Sequence, residues 1–394
     1  MTVSRRTFVS GVSTAASLAA AGFLGELRTE AAEEKTTEVA PARILFNENP
    51  LGPSPKALSA ISNAAQQFAR YPLGKSKVLE MRLRELNGLP FATPEPGLSL
   101  RPAPAPEGTH GLLLGVGSSE ILKAAAWAYC STEGSVVEPY PSYAAIGNAA
   151  SSIPGAKIER RMVPLSSENC IDVQATIDAI DSSTKMLVIC NPNNPTGTTI
   201  PAEQIEAMAN AAPKDALVFI DEAYIEFADG GTKSSALDFA KTRSNVIIAR
   251  TFSKIYGLAG LRVGYGIGHQ SIMDRLKPYM LGGLSHSMPG ILGAIAAVDD
   301  DAHLSESLAH NEKIHATWKK SFHDLGWKMT PSVTCFCWLD VGHDCASLVG
   351  FLRDRGVLIS GGQRWELPNC VRISTGTEEE NDRLLAGMKA YKAA

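Results

Sequence analysis

The sequence predicts an α/β protein in which a mostly parallel sheet, flanked by helices, is followed by a smaller α+β domain. Short apolar runs rich in β-branched residues, at 186–190, 217–220 and 246–249, alternate with helical segments such as 202–212. Strands that alternate with helices form parallel sheets, because each crossover helix returns the chain to the same end of the sheet. This alternation extends over roughly residues 112–270.

A different pattern begins near residue 290. A long helical stretch is predicted over 291–325, strand-like runs follow at 334–341, 357–359 and 371–374, and a helix begins at Glu378. We therefore expect a large domain over 71–285 and a small C-terminal domain over 286–394. Residues 41–70 are expected to form an N-terminal arm and part of the small domain, and a Pro-rich surface insertion is expected at about 88–110.

Composition excludes several classes of function. The chain has 394 residues, 44% of them hydrophobic and 20% charged, with a net charge of −4, which is typical of a soluble enzyme and gives no basic field for nucleic acid. The seven cysteines lack metal-ligand spacing, so we expect buried free thiols, with one disulfide left open as an alternative. No metal site is expected, and the histidines at 303, 310, 315 and 323 are interpreted as solvated.

The first 40 residues read as a twin-arginine export signal and linker. Arg5 and Arg6 stand in the segment SRRTFV, and an uncharged, mildly apolar run follows over 7–25. We expect a periplasmic or otherwise exported protein that meets the membrane only through this signal, with cleavage between about residues 25 and 40. An uncleaved membrane anchor and a disordered basic terminus are the alternatives.

Polar signals fall where the predicted strands end, the edge at which parallel α/β sheets collect ligands. Gly117, Ser118 and Ser119 open a helix, and backbone N–H groups at a helix N-terminus attract anions. The segment CNPNNPTG, with Asn194, follows the strand at 186–190 and is a stiff, turn-rich loop. Asp221 ends the next strand and could keep a pyridine nitrogen protonated. Each signal has an ordinary structural alternative, such as a helix cap or a plain loop.

The most informative segment is TFSKIYGLAGLRVG, at 251–264. The amine of Lys254 can form a Schiff base with an aldehyde, and Arg262, eight residues later, can grip a phosphate as a fork. Ser253 adds a hydroxyl group beside them. An amine, a guanidinium and hydroxyl groups in a glycine-rich setting indicate the aldehyde cofactor pyridoxal 5′-phosphate.

With these motifs assembled, the chain resembles the fold-type I pyridoxal-phosphate aminotransferases of class I/II, and most closely the histidinol-phosphate aminotransferase family. The resemblance covers the chain from about Ile44 to its end and rests on NENPLGPSP, RYP, GSSE, PSY, NPNNPTG, DEAY, TFSKIYGLAGLRVGY and VRISTGT. It implies an aspartate aminotransferase-like fold whose large domain contains a seven-stranded sheet.

The resemblance also implies roles for single residues. Lys254 carries the cofactor and moves the substrate proton, and Asp221 pairs with the ring nitrogen. Asn194 and Tyr224 bind the ring's phenolic oxygen, while Tyr143 stacks on the ring. The implied phosphate ligands are Ser118, Ser119, Ser253 and Arg262.

Further implied residues concern the substrate and a second subunit. Tyr71 matches a tyrosine that reaches the phosphate of a neighbouring subunit, so a homodimer is expected. Arg372 matches the clamp for the substrate α-carboxylate, with Asn49 expected near it. Histidinol-phosphate enzymes commonly carry an arginine where Ser360 stands here, which makes Arg364 the candidate for a second anionic group.

The reaction expected from these residues is ping-pong transfer of an amino group from an L-amino acid, or an amino-phosphate compound, to a 2-oxo acid. Decarboxylation, racemisation or elimination on the same cofactor is the first alternative, because the resting scaffold would be the same. A non-catalytic exported binding protein is a further alternative, although simple binding needs neither a Schiff-base lysine nor a partner for the ring nitrogen.

Overall fold

Residues 40–90 and 109–394 are the part of the chain that the computed structural model describes. The first elements are β1 (Ala42–Arg43), α1 (Pro55–Asn63) and α2 (Leu73–Leu86). The hydroxyl of Ser54 accepts a hydrogen bond from the Ala57 N–H, which caps α1. After α1 the chain tightens into a 3₁₀ turn at Ala65–Ala69.

A seven-stranded sheet dominates the described residues and confirms the predicted fold class. Its strands are β2 (His110–Val116), β3 (Glu133–Tyr140), β4 (Lys157–Pro164), β5 (Thr184–Cys190), β6 (Leu217–Asp221), β7 (Val246–Thr251) and β8 (Val263–His269). Their spatial order is β2-β8-β7-β6-β5-β3-β4. Strands β4, β3, β5, β6 and β7 are parallel to one another, and β8 runs antiparallel to both of its neighbours.

Helices cover both faces of this sheet. They include α3 (Ser118–Tyr129), α4 (Ala145–Ser151), α5 (Val173–Asp178), α6 (Ala202–Ala211), α7 (Leu237–Ala240) and α8 (Gln270–Leu276). Successive residues of β5 point to opposite faces, so Leu187 and Ile189 join one buried apolar cluster while Met186 and Val188 join another. Because the parallel strands are buried on both faces, they read as continuous apolar runs in the sequence.

The C-terminal part contains α9 (Met288–Ala297), α10 (Asp301–Asp324), β9 (Lys328–Met329), β10 (Phe336–Asp340), α11 (Ala346–Arg353), β11 (Val357–Leu358), β12 (Ser360–Gly361), β13 (Cys370–Ser374) and α12 (Glu378–Ala393). Strands β12, β13, β10 and β9 form an antiparallel sheet in that order. The arm belongs to this part by pairing, since β1 runs parallel to β11 with Ala42 opposite Val357. A third apolar cluster, which includes Trp318 and Phe322, lies beneath it.

The single long helix predicted over 291–325 is wrong, because the structure has α9 and α10 with a break between them. Asp300 leaves the helical conformation, with φ −104° and ψ 67°. Its carboxylate forms an ion pair with Lys56 Nζ on α1 at 3.0 Å. An aspartate that binds a neighbouring element competes with the helical backbone, which is consistent with the break.

The described residues test only some of the remaining expectations. All seven cysteines are free, and every one except the half-buried Cys170 is buried. Among residues 40–90 and 109–394 there is no helix long and apolar enough to cross a membrane and no cluster suited to a metal ion. The export signal and nearly all of the Pro-rich insertion lie outside the described residues, and the domain boundaries stay a prediction.

The expectation that the four histidines of α10 are solvated is wrong for two of them. His303 is buried, and its Nε2 lies 3.1 Å from the carbonyl oxygen of Gly52. His315 stacks on Trp318, and burial lowers the pKa of its imidazole to about 4. Helical spacing alone did not show that these two positions face other elements.

Candidate active site

A cavity of about 740 Å³ opens at the carboxyl ends of the parallel strands. Its wall contains most of the site residues predicted from the sequence: Ser118, Ser119, Tyr143, Asn194, Asp221, Tyr224, Ser253, Lys254, Arg262, Arg364 and Arg372. Register explains part of this convergence, because Cys190 at the end of β5 lies opposite Asp221 at the end of β6. The motifs that follow β5, β6 and β7 therefore lie side by side along one edge of the sheet.

Lys254 lies in the loop after β7, with its amine in the cavity. Its Nζ donates a hydrogen bond to the carbonyl oxygen of Phe46 at 3.1 Å and lies 5.6 Å from the centroid of the Tyr224 ring. Burial lowers the pKa of Lys254, and the Arg372 charge lowers it further, against opposing effects that include Asp221. A larger neutral fraction makes more of the amine available as a nucleophile and as a base near neutral pH.

Asp221 supplies a buried carboxylate to the cavity. Its Oδ1 accepts a hydrogen bond from the Ala223 N–H at 3.2 Å. Burial raises the pKa of Asp221 to about 6, although that bond and the Lys254 charge oppose the shift. Because burial disfavours the ionised form, a protonated ring nitrogen brought next to this carboxylate would stabilise its charge.

Three asparagines follow β5, and the structure gives them different tasks. Asn191 Oδ1 accepts from the Ile200 N–H at 2.9 Å, and Asn193 Oδ1 accepts from the Ser142 hydroxyl at 2.7 Å. These two amides hold the loop in shape. Asn194, by contrast, faces the cavity, where its Oδ1 accepts from Arg372 Nη1 at 2.6 Å.

Tyr224 is held by a residue that the sequence interpretation missed. Asn47, in the arm, donates from Nδ2 to the Tyr224 hydroxyl at 2.9 Å, and Asn47 Oδ1 accepts from the Ser374 hydroxyl at 2.9 Å. Burial raises the pKa of Tyr224 well above its usual value, so the phenol stays protonated and can donate. The motif NENP, which contains Asn47 and Asn49, was the sequence signal that could have identified Asn47.

An anion cradle lies at the N-terminus of α3. Gly117 has φ 71°, and a Cβ there would overlap the guanidinium of Arg262, so only glycine fits. Arg262 Nη1 donates to the Ser253 hydroxyl at 3.1 Å. The N–H groups of Ser118 and Ser119, one hydroxyl and one guanidinium therefore converge, which is the donor set that a phosphate group requires.

Arg372 lies in the middle of β13 and is 5% exposed. Besides its bond to Asn194, it donates from Nη2 to the Leu45 carbonyl oxygen at 2.6 Å. Its Nε has no hydrogen-bond partner among the described residues. Burial lowers the pKa of Arg372 to about 10, Tyr224 opposes this shift, and Arg364 adds to it. A buried guanidinium with a free N–H and no carboxylate partner favours an anionic ligand.

Arg364 and Trp365 form the outer wall of the cavity. The Arg364 guanidinium carbon lies 4.5 Å from the centroid of the Trp365 ring, and that of Arg372 lies 5.2 Å from the same ring. Ser360, the position at which the resemblance leads us to expect an arginine, is committed elsewhere, since its hydroxyl donates to the Leu45 carbonyl oxygen at 3.2 Å. Trp365 was not singled out from the sequence.

Two predicted residues do not line the cavity. The placement of Asn49 beside the substrate carboxylate is wrong, because Asn49 Nδ2 donates instead to the Ile255 carbonyl oxygen at 2.7 Å and to the Ser307 hydroxyl at 2.9 Å. The neighbouring arm residues Phe46, Asn47 and Glu48 take its place in the wall. Tyr71 is 70% exposed and lies outside this cavity, so its role toward a second subunit stays a prediction.

The residues present fit pyridoxal 5′-phosphate. The amine suits the aldehyde of that molecule, and the buried carboxylate suits its ring nitrogen. The phenol with an amide beside it suits the ring oxygen, and the anion cradle suits the phosphate. Glycine at position 117 supports the fit, because it opens the space beside Arg262 that a phosphate would share. The roles assigned to the single residues stay predictions.

The chain is similar in sequence to known proteins. The profile of the family described as "Aminotransferase class I and II" matches residues 45–388. The chain is 34% identical over 350 residues to "Histidinol-phosphate aminotransferase 2" of Pseudomonas fluorescens, covering 88% of this chain and 87% of that protein. It is also 34% identical over 348 residues to the "Histidinol-phosphate aminotransferase" of Symbiobacterium thermophilum, covering 87% and 88% respectively.

The chain is also similar in fold to solved structures. A putative histidinol-phosphate aminotransferase from Erwinia carotovora superposes with a TM-score of 0.79 at 29% identity, covering 91% of this chain and 99% of that one. Histidinol-phosphate aminotransferase from Sinorhizobium meliloti, solved in complex with pyridoxal 5′-phosphate, gives a TM-score of 0.77 at 28% identity, covering 90% and 91%. Aspartate aminotransferase of Thermus thermophilus, at 20% identity and a TM-score of 0.72, shares the fold.

Proposed function

The chain belongs to the aminotransferase class I and II family, and we propose that its amino substrate carries a second anionic group besides the one held by Arg372. It is a pyridoxal 5′-phosphate-dependent aminotransferase that moves an amino group from an amino acid to a 2-oxo acid. When bound, the cofactor supplies the aldehyde that captures an amine and a ring that takes up electrons from the substrate.

The chain's own residues supply orientation and proton transfer. Lys254 Nζ, whose pKa burial lowers, can accept the proton from the substrate Cα. Asp221 can hold the proton on the ring nitrogen, and Arg372, which lines the cavity, can hold the α-carboxylate with its guanidinium.

The observation that carries the substrate proposal is the pair of guanidinium groups that contact the Trp365 ring. Arg160, which also lines the cavity, is neutralised by Glu138 at 2.5 Å. Arg364, by contrast, forms no ion pair with a carboxylate of residues 40–90 or 109–394. Two cations on one wall, neither with a carboxylate partner among residues 40–90 and 109–394, favour a dicarboxylic amino acid or a phosphorylated amino acid.

A substrate panel tests this proposal. The panel compares glutamate, aspartate and O-phosphoserine, which carry two anionic groups, with leucine and phenylalanine, which carry one, and with histidinol phosphate, whose only anionic group is its phosphate. The oxo product is identified by mass. We expect the two-anion substrates to have the higher kcat/KM, and Arg364→Ala to raise their KM by roughly 10- to 100-fold, the size of a lost charged hydrogen bond. Arg364→Lys serves as the charge-retaining control. Equal effects of Arg364→Ala on leucine and on glutamate would overturn the proposal.

A homodimer with a shared site is proposed on the basis of Tyr71. Its side chain is 70% exposed in the single chain although it is a large aromatic group. Mixed dimers of Tyr71→Phe and Lys254→Ala chains provide a test. If Tyr71 acts across the interface, each mixed dimer has one complete site and regains activity. Activity no higher than that of the two parent dimers would exclude the shared site.

Export through the twin-arginine route is a separate proposal that rests on Arg5 and Arg6 in SRRTFV. In a bacterial host with this translocase, the chain is expected in the periplasmic fraction together with its activity. The double replacement Arg5→Lys and Arg6→Lys should retain it in the cytoplasm, with a cytoplasmic marker enzyme as the control for leakage. An unchanged distribution would contradict export by this route.

A further inference from the structure

We propose that Asn49 is a positioning residue for Lys254, because its amide ties the lysine loop to helix α10 from outside the cavity. The sequence interpretation expected Asn49 to bind substrate. Its observed contacts show instead that it holds the backbone on which the reactive lysine stands. This inference rests on the aminotransferase activity but not on the proposed substrate.

The Asn49 side chain is almost fully occupied by protein partners. Nδ2 donates both of its hydrogens, to the Ile255 carbonyl oxygen at 2.7 Å and to the Ser307 hydroxyl at 2.9 Å. Oδ1 accepts from the Leu51 N–H at 3.0 Å. Ile255 directly follows Lys254, and Ser307 lies on α10, so one amide connects the catalytic loop, the arm and the long helix.

A close backbone contact between the arm and the lysine loop reinforces this connection at Gly52, three residues after Asn49. Gly257 has φ 68°, and a Cβ there would overlap the carbonyl of Gly52. The Gly257 N–H donates to the Lys254 carbonyl oxygen at 2.9 Å, which closes the turn after the lysine. His303 Nε2, on α10, donates to the Gly52 carbonyl oxygen at 3.1 Å. The arm therefore contacts the turn after Lys254 and is hydrogen-bonded to helix α10.

The same arm also contacts the reactive end of the lysine. Lys254 Nζ donates to the Phe46 carbonyl oxygen, three residues before Asn49. Residues 46–52 thus hold Lys254 at its amine and at the turn that carries its main chain. A displacement of the arm would move both, and a misplacement of about 1 Å at a reacting group can lower a rate about 100-fold.

The decisive variant is Asn49→Asp, because it keeps the shape and the acceptor for Leu51 but removes both N–H donors. Asn49→Ala removes all three bonds, and Ser307→Ala removes only the bond to α10. Asn63→Asp is the matched control, since Asn63 is exposed and its Nδ2 donates only to the Ser59 hydroxyl at 3.2 Å.

Two measurements separate positioning from simple stability. In the apoprotein, the pH at which Lys254 is half-labelled by an amine-reactive reagent is read by peptide mass spectrometry. Asp221, Glu48, Arg372, Cys335 and the Tyr224 ring surround this amine. In the holoenzyme, kcat and KM are measured at saturating cofactor for whichever amino donor is active.

For Asn49→Asp we expect kcat to fall roughly 10- to 100-fold with a much smaller change in KM. The labelling midpoint of Lys254 should rise, because water that enters beside a loosened arm relieves the burial that lowers its pKa. Ser307→Ala should show a smaller change of the same kind. If Asn49→Asp lowers only the melting temperature and leaves kcat and the labelling midpoint at the Asn63→Asp values, Asn49 is merely structural and the inference is overturned.

Discussion

Arg372 donates a hydrogen bond from Nη1 to Oδ1 of Asn194 over 2.6 Å, which joins the C-terminal sheet to the loop after β5. Both residues are buried in the cavity wall. The family resemblance assigns Asn194 to the cofactor ring and Arg372 to the substrate carboxylate. Their hydrogen bond means that Asn194, which the resemblance assigns to the cofactor ring, also orients Arg372, which it assigns to the substrate.

The first prediction follows from this bond. Asn194→Ala removes a partner of a charged donor, and such bonds contribute about 1.5–3 kcal/mol. KM for the amino donor should therefore rise by roughly 10- to 100-fold when cofactor is saturating. Asn148→Ala, which removes an amide from Arg160 at the same cavity, is the control. An unchanged KM in Asn194→Ala would show that Arg372 keeps its orientation without Asn194.

Lys254→Ala should abolish covalent attachment of the cofactor and lower kcat by at least about 100- to 10,000-fold, the range for loss of a general base. Borohydride reduction followed by intact mass measures attachment, and Lys56→Ala, an exposed lysine, should retain the full mass gain. The fold should persist, because among residues 40–90 and 109–394 the amine forms a single hydrogen bond, to the carbonyl oxygen of Phe46. A retained mass gain in Lys254→Ala would place the Schiff base on another lysine.

The raised pKa of Asp221 leads us to expect that the stability of the apoprotein depends on pH. Its pKa is about 6 in the folded chain against the usual 3.8 of an aspartate, so the folded state binds the proton more tightly. The ionised carboxylate therefore costs stability above pH 6, and this cost disappears as the pH falls through 6 toward 3.8. Its full size is about 3 kcal/mol, from 1.36 kcal/mol per pKa unit.

Asp221→Asn removes this titration while keeping an Oδ1 acceptor for the Ala223 N–H. Apo Asp221→Asn should thus be more stable than the wild type at pH 7–8, with the difference vanishing near pH 4, as measured by urea unfolding. The same variant should bind cofactor more weakly. A pH-independent stability difference would show that Asp221 is not the titrating group.

A buried ion pair behind the site predicts a large loss of stability. Arg250 Nη2 lies 2.9 Å from Glu222 Oε2, and both side chains are almost completely buried. Glu222→Gln would leave the guanidinium without its counter-charge, and breaking such a pair costs about 3–5 kcal/mol. Asp354→Asn, in the exposed pair with Arg353, should change the free energy of unfolding by less than about 1 kcal/mol. Similar effects of the two variants would contradict this assignment.

Much of the site could be predicted from the sequence, because residue types that suit the cofactor chemistry stand directly after the predicted strands. Asp221 and Lys254 each follow a short apolar strand, and parallel strands bring such positions to one edge. Asn49 and Asn47 show the limit of this reasoning. They are two residues apart in one extended arm, and the motif does not say which of them faces the cavity, since that depends on what each side of the arm contacts.

The sequence by itself determined the parallel α/β architecture and the cofactor, and it predicted Lys254 as the reactive lysine, because these depend on local apolar periodicity and on residue types that one chemistry requires. Only the tertiary structure decided that Asn47 holds Tyr224 while Asn49 holds the lysine loop, that His303 is buried, and that Arg364 and Arg372 contact one indole ring. These relationships join residues far apart in the chain, and the packing of separate elements sets their distances.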